Sequence, residues 1–294
     1  MNMKIPFLRW LSVGTLVLFF IFSSRPDVYG WGNTGHKTVI GIAQRHLTEK
    51  ARQNIEKYIP YDLKQDAVWM DKHRQGDWAF TDTWHTFCVD GRHNYDPVAP
   101  TGDAIKAIRD ACWRLSDRSE MTDSAVVFNI RTVIHLIGDM HCPVHILIPG
   151  HIGEFSSNLW GREFLPTVGV LRPTYYNGME LISYHQFFDR LPGYIHGQDI
   201  DAIVEKIDRC CRREIKKIVK GEMYEIDGHK DFGAALAVWA KDCADMALDI
   251  WTYNPTLSPE LDPAIMDMAT PLVNEYMVRA GYRLARLLNA VFGE

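Results

Sequence analysis

Residues 135–145 read HLIGDMHCPVH. His135 and Asp139 are four apart within an apolar stretch that continues the helical pattern of residues 124–137. On a helix that spacing sets both side chains on one face, a turn apart. Pro143 has no amide hydrogen and crowds the preceding turn, so the helix is expected to break or kink beyond Met140. His145 then projects from the following turn, toward another side. Imidazole nitrogens and a carboxylate oxygen so placed suit a zinc ion.

The helical reading extends outward from this segment. Apolar residues recur at Val39, Ala43 and Leu47 within residues 36–58, the step of a helix face. Thr48 has no capping-box partner, since Ala51 follows three residues on, yet it can start a new helix. Residues 104–115, 200–219, 233–253 and 276–292 carry the same periodicity, and Asn254-Pro255 stops the third of these segments. Strand signals are sparse. The expectation is an all-α chain forming a single large helical domain. Residues 149–178, rich in Gly, Pro, Ser and Asn, read as a long loop carrying a short hairpin.

Residues 1–30 read as a secretory signal rather than as part of the domain at residues 31–294. Lys4 and Arg9 precede an apolar run at 11–22, and small Gly30 stands at the expected cut. The run is short for a membrane span, which needs about 20 apolar residues; an uncleaved anchor is the alternative. Export, to a periplasm or outside the cell, means an oxidising compartment. The six cysteines then allow up to three disulfides, with connectivity open. Their spacing matches no zinc-finger pattern, so none is read as a metal ligand. The net charge of -5 supplies no global basic footprint. The basic face of residues 200–219 reads as a solvated surface.

A second pair, His185 and Asp189 in YHQFFD, repeats the four-residue spacing, and Asp71 in AVWMDKHR and His85 in TWHTF are further candidates. Cleavage after Gly30 would expose the amino group of Trp31, whose pKa near 8 lets a metal displace its proton. Amine and carbonyl would form a chelate that His36, five residues on, could complete.

These residues resemble the single-strand-specific zinc nucleases, the S-one/P-one or type I nucleases. WGNTGHKTVIGIAQRHLT (31–48), AVWMDKHR (67–74), HLIGDMHCPVH (135–145), YHQFFD (184–189) and AGYRLARLLN (280–289) look like that family's segments, in order. The resemblance implies an all-helical fold around a trinuclear zinc site, similar to zinc phospholipase C. Carried onto matching positions, Asp71, His85, His135 and Asp139 would hold the first of three Zn2+ ions. His145, His185 and Asp189 would hold the second. Trp31 through its backbone, His36 and Asp139 would hold the third, with Asp139 bridging. Asp71 and Arg74 would be the catalytic pair, Arg74 stabilising charge on the phosphoryl oxygens.

The implied activity is that of a secreted endonuclease. Its substrates would be single-stranded nucleic acid or nucleotides, its products would carry 5′-phosphate, and 3′-mononucleotides could also be dephosphorylated. No membrane partner or obligate protein partner is expected. This chain departs from the family after His85, where it reads Thr86, Phe87, Cys88, Val89, Asp90; Phe87 and Asp90 are the expected substitutes for the base-binding residues. It also lacks the family's Gly-Gly-Asn between His145 and His185, and it has Phe188 where Trp is common. The rival readings are a zinc phospholipase C-like lipid phosphodiesterase and a metal- or nucleotide-binding remnant. Asp189 and the Trp31/His36 spacing favour the nuclease, and the complete ligand set argues against a remnant.

Overall fold

The computed structural model describes residues 31–97, 102–149, 169–176, 179–219, 224–226, 229–251 and 264–293. The signal reading at 1–30, the cleavage site and the loop at 150–168 lie outside these residues. The described helices are α1 (Asn33–Arg45), α2 (Glu49–Glu56), α3 (Trp69–His73), α4 (Ala104–Ser116), α5 (Asp123–Met140), α6 (Tyr184–His196), α7 (Ile200–Val219), α8 (Phe232–Trp251) and α9 (Ala264–Phe292). The fold is all-α, as expected. The strands are short: β1 (Phe87–Cys88) pairs in parallel with β2 (Ile146–Leu147), β3 (Gly169–Tyr176) with β4 (Met179–Ser183), and β5 (Tyr224–Ile226) with β6 (His229–Asp231).

Helix α5 is the central element. Val126, Ile130, Val133, Ile134, Leu136 and Ile137 are all fully buried; a helix that is apolar nearly all round belongs inside a protein. It starts at Thr122, whose side chain accepts from the Ala125 amide. It packs on α4 and α9, and α1 lies along α9. The α1–α9 approach is close enough that a Cβ on Gly281 would meet Ile42 at 2.5 Å. Each buried Ile or Leu in these faces contributes roughly 1.5–3 kcal/mol.

Thr48 starts a new helix within 36–58, as expected, its side chain accepting from the Ala51 amide at the head of α2. Two boundaries differ from the periodicity. Helix α9 begins at Ala264, not near residue 276, and runs through Pro271. The hairpin expected within 149–178 is β3–β4, reaching past that range to Ser183. The disulfide expectation also contracts. Cys112 is a free thiol in the core and Cys210 a free exposed one, so six minus two leaves at most two bridges rather than three. No described helix is long and apolar enough to cross a membrane.

Candidate metal centre

Four elements converge on one buried cluster. Helix α1 brings His36, α3 brings Asp71, the 3-10 segment Gly76–His85 ends on His85, and α5 brings His135 and Asp139. All five side chains are buried, His36, His135 and Asp139 completely. Asp139 is the hub. Its Oδ2 lies 2.9 Å from His85 Nδ1 and 3.2 Å from His135 Nε2, while its Oδ1 lies 3.3 Å from His36 Nε2. Asp71 Oδ1 is 3.6 Å from His135 Nε2 and 3.7 Å from His85 Nδ1. The two oxygens of Asp139 therefore face two different sets of imidazoles.

The backbone sets which ring nitrogen faces inward. His135 Nδ1 donates to the Ala67 carbonyl at 2.8 Å, and His145 Nδ1 donates to the His85 carbonyl at 2.6 Å. A carbonyl only accepts, so Nδ1 carries a hydrogen, and in the neutral, metal-binding form of the ring Nε2 carries the lone pair. A ligating imidazole is held in the same way by its other nitrogen. The β1–β2 pairing produces the second of these contacts, because Phe87 opposite Ile146 brings residue 85 beside residue 145.

The cluster is poorly satisfied by protein alone. Both ring nitrogens of His36, both oxygens of Asp71, Asp139 Oδ1 and His85 Nε2 are buried without a hydrogen-bond partner. Each such group costs about 1–3 kcal/mol, more when charged. A divalent cation among these atoms would satisfy them together, so the residues present fit a metal.

Electrostatics point the same way. Burial pushes the Asp139 carboxyl up, but the His135 and His145 rings outweigh it and hold it well below the usual range. Burial also raises Asp71, and the His135 and His85 rings bring it below its ordinary value. Burial and the neighbouring His135 lower His36. Asp189 is driven well up by burial and by Asp71 and Asp139, against the pull of Arg190 and Arg74. Three carboxylates so placed repel one another unless a cation lies between them.

The ligand-type atoms fall into three groups, each within 4.8 Å: Asp71, His85 and His135; His36, His135 and Asp139; and Cys142, His145 and Asp189. The third group includes Cys142, which the spacing of the cysteines did not point to. His185 lies in the first turn of α6, and its side chain lies outside the described residues. Trp31 is buried, with its indole donating to the His141 carbonyl at 3.1 Å. The next residue, Gly32, donates to the Asp189 carbonyl at 2.8 Å, which ties the start of the domain to α6 beside the cluster. Arg74 caps α3, half-buried, with its charge felt by Asp189.

The base-binding assignments change. Phe87 is fully buried in the core on β1, so its ring offers no face to a base. The Asp90 carboxylate accepts from the amides of Arg92 and Asn94 and from the Asn94 side chain, closing a surface turn. A half-buried aromatic group lies around the segment before His85, with Phe80 its exposed member. Trp84, Phe80, Trp78, Phe128 and Trp69 form a contiguous group, Trp78 stacked on Phe128 at 4.7 Å and Phe80 edge-on to Trp84 at 5.4 Å. Phe80 is 53% exposed. Lys106 and Arg114 line the hollow beside Trp84 and Phe128. The aromatic density of residues 69–84 was the available sequence signal, but no regular period marked it.

Comparison with known proteins places these motifs. The S1/P1 Nuclease family model matches residues 31–158. The chain is 26% identical to Nuclease S1 of Aspergillus oryzae over 310 residues, covering 97% of this chain and 98% of the relative. It is 21% identical to Endonuclease 2 of Arabidopsis thaliana over 296 residues, 95% and 96% of the two chains. It is 30% identical to Endonuclease 4 of the same plant over 147 residues, 44% and 48%. The family model spans three of the five motifs, those at 31–48, 67–74 and 135–145, in line with the resemblance read from the sequence.

Proposed function

We propose, from its likeness to the S1/P1 Nuclease family, that this chain is a zinc-dependent endonuclease of single-stranded nucleic acid. It leaves 5′-phosphate products and also accepts 3′-mononucleotides. The observation that carries this reading is the buried cluster of His36, Asp71, His85, His135 and Asp139, with its inward ring nitrogens and hydrogen-bond-deficient oxygens.

Three zinc ions are assigned. Asp71, His85, His135 and Asp139 hold one; His145, His185 and Asp189 a second; the Trp31 backbone, His36 and Asp139 a third. Asp139 suits the shared position because its two oxygens face separate imidazole sets. When bound, such ions polarise a phosphodiester and lower the pKa of water toward about 7. The amino group of Trp31 becomes available once residues 1–30 are removed on export.

The chain's own groups do the rest. Arg74, three residues past Asp71 at the end of α3, holds the phosphoryl oxygens by charge-assisted bonds and offsets charge gathering on them. Asp71, kept ionised by His135 and His85, supplies the anionic wall opposite. Trp84, Phe80 and Trp78 receive unstacked bases, each worth about 1–3 kcal/mol, while Lys106 and Arg114 attract the backbone. A duplex keeps its bases stacked inside and cannot use this surface, which yields single-strand preference.

The test uses protein beginning at Trp31, purified without chelators. Metal analysis should find stoichiometric zinc, and single-stranded DNA and RNA should be cut faster than duplex. Cleavage of a choline phospholipid instead would establish the lipid phosphodiesterase, and zinc-free protein would overturn both readings.

A further inference from the structure

We infer that Cys142 is a ligand of the metal held by His145 and Asp189, so that this centre carries a sulfur donor. The inference rests on the metal reading above and adds a residue to it. Position 142 is a variable one in the His-x-x-Gly-Asp-x-x-x-Pro-x-His pattern, so the motif does not require a thiol there.

The geometry follows from how α5 ends. The Cys142 amide donates to the Asp139 carbonyl at 2.8 Å, closing the last turn. Pro143 then opens a one-turn 3-10 helix, Pro143–His145, in which the His145 amide donates to the Cys142 carbonyl at 3.0 Å. That bond holds Cys142 and His145 on one tight turn. His145 gives its Nδ1 hydrogen to the His85 carbonyl, which in the neutral ring leaves the lone pair on Nε2. Asp189 arrives from α6, which is fastened there by the Gly32 amide on its carbonyl.

The ligand-type atoms of Cys142, His145 and Asp189 lie within 4.8 Å of one another, and all three residues are buried. Tetrahedral ligands 2.0–2.3 Å from zinc stand roughly 3.3–3.8 Å apart, so a small contraction encloses the ion. Their chain neighbours Val144, Ile146 and Phe188 are buried and apolar, and charges attract more strongly out of water.

The chemistry balances. On loading, the S–H bond of Cys142 breaks, the sulfur–metal bond forms and the proton leaves to solvent. Thiolate and carboxylate together cancel the two charges of the ion, with imidazole neutral. Sulfur also makes the centre soft, so it favours zinc, cobalt or cadmium over magnesium or manganese.

The experiment is cobalt(II) loading of the protein beginning at Trp31, for wild type and Cys142→Ser, followed by absorption spectroscopy. The expected result is a near-ultraviolet thiolate-to-cobalt charge-transfer band in wild type. Cys142→Ser should lose that band while keeping the visible cobalt bands of the remaining sites. Visible bands without a charge-transfer band, or one that survives in Cys142→Ser, would overturn the thiolate ligand and leave the metal reading standing. Failure to take up cobalt or zinc at all would overturn the metal reading and this inference with it. Should Cys142→Ser not fold, X-ray absorption of zinc-loaded wild type decides. A sulfur shell at about 2.3 Å supports the assignment, and a purely nitrogen and oxygen shell sinks it.

Discussion

The rings of His36 and His135 lie face to face, 4.2 Å between centroids and 17° apart, although one belongs to α1 and the other to α5. Gly138 makes this possible. A Cβ at that position would stand 2.4 Å from His36 Nδ1, inside any tolerable contact. The glycine of HLIGD thus clears the space that the first histidine of the domain occupies.

Replacing Gly138 with alanine should expel the His36 ring and remove its metal while α5 stays helical, since alanine favours helix. Metal content falling by one ion with an unchanged circular dichroism spectrum is the expected pair of readings. Full zinc retention would show that His36 is not a ligand.

The charge of Arg74 reaches Asp189 from the end of α3. Arg74→Ala should lower kcat about a hundredfold, in the range for losing one transition-state donor, with zinc content preserved. Parallel loss of zinc and turnover would make the residue structural instead.

The aromatic group beyond His85 should set the single-strand preference. Phe80→Ala and Trp78→Ala should each weaken binding of single-stranded DNA fivefold to a hundredfold, from about 1–3 kcal/mol of stacking. Neither should change the slow cleavage of duplex. Unaltered affinity in both variants would place the bases elsewhere.

Arg283 is fully buried and shares Asp242 with Arg279, at 2.6 Å in each case. Burial alone would raise the Asp242 carboxyl, but Arg283 and Arg279 outweigh it and hold it low. A depressed folded-state value gives stability that is present above the unfolded value, about 3.9, and lost as pH falls through the folded one. Asp242→Asn should therefore cost about 3–5 kcal/mol at neutral pH, the range for breaking a buried pair. The gap from wild type should shrink below pH about 4. Urea denaturation at both pH values measures it, and a gap constant with pH would refute the ionic account.

Local order carries much of this protein. The four-residue spacing of His135 and Asp139 needs only a helix, and Pro143 ends that helix at Met140 by its own covalent geometry. Thr48 starts α2 through one side-chain bond to Ala51. Asp71, His85, His145 and Asp189 were nameable from their motifs because each motif is a short, ordered word.

Partnerships between distant words were not legible. Phe87 looked available for stacking, yet the pairing of β1 with a strand 59 positions on (Phe87↔Ile146) turns it into the core. Cys142 looked unrelated to the metal until a 3-10 turn and α6 brought it to His145 and Asp189. The aromatic platform has no period, because its members come from a 3-10 segment, a short helix and α5. Helices, caps and the candidate ligands were set by the sequence, since they depend on neighbours within a turn or two. Which candidates stand together in one cluster, and which rings stay exposed, was decided by tertiary packing alone, where burial selects among side chains that the chain leaves equivalent.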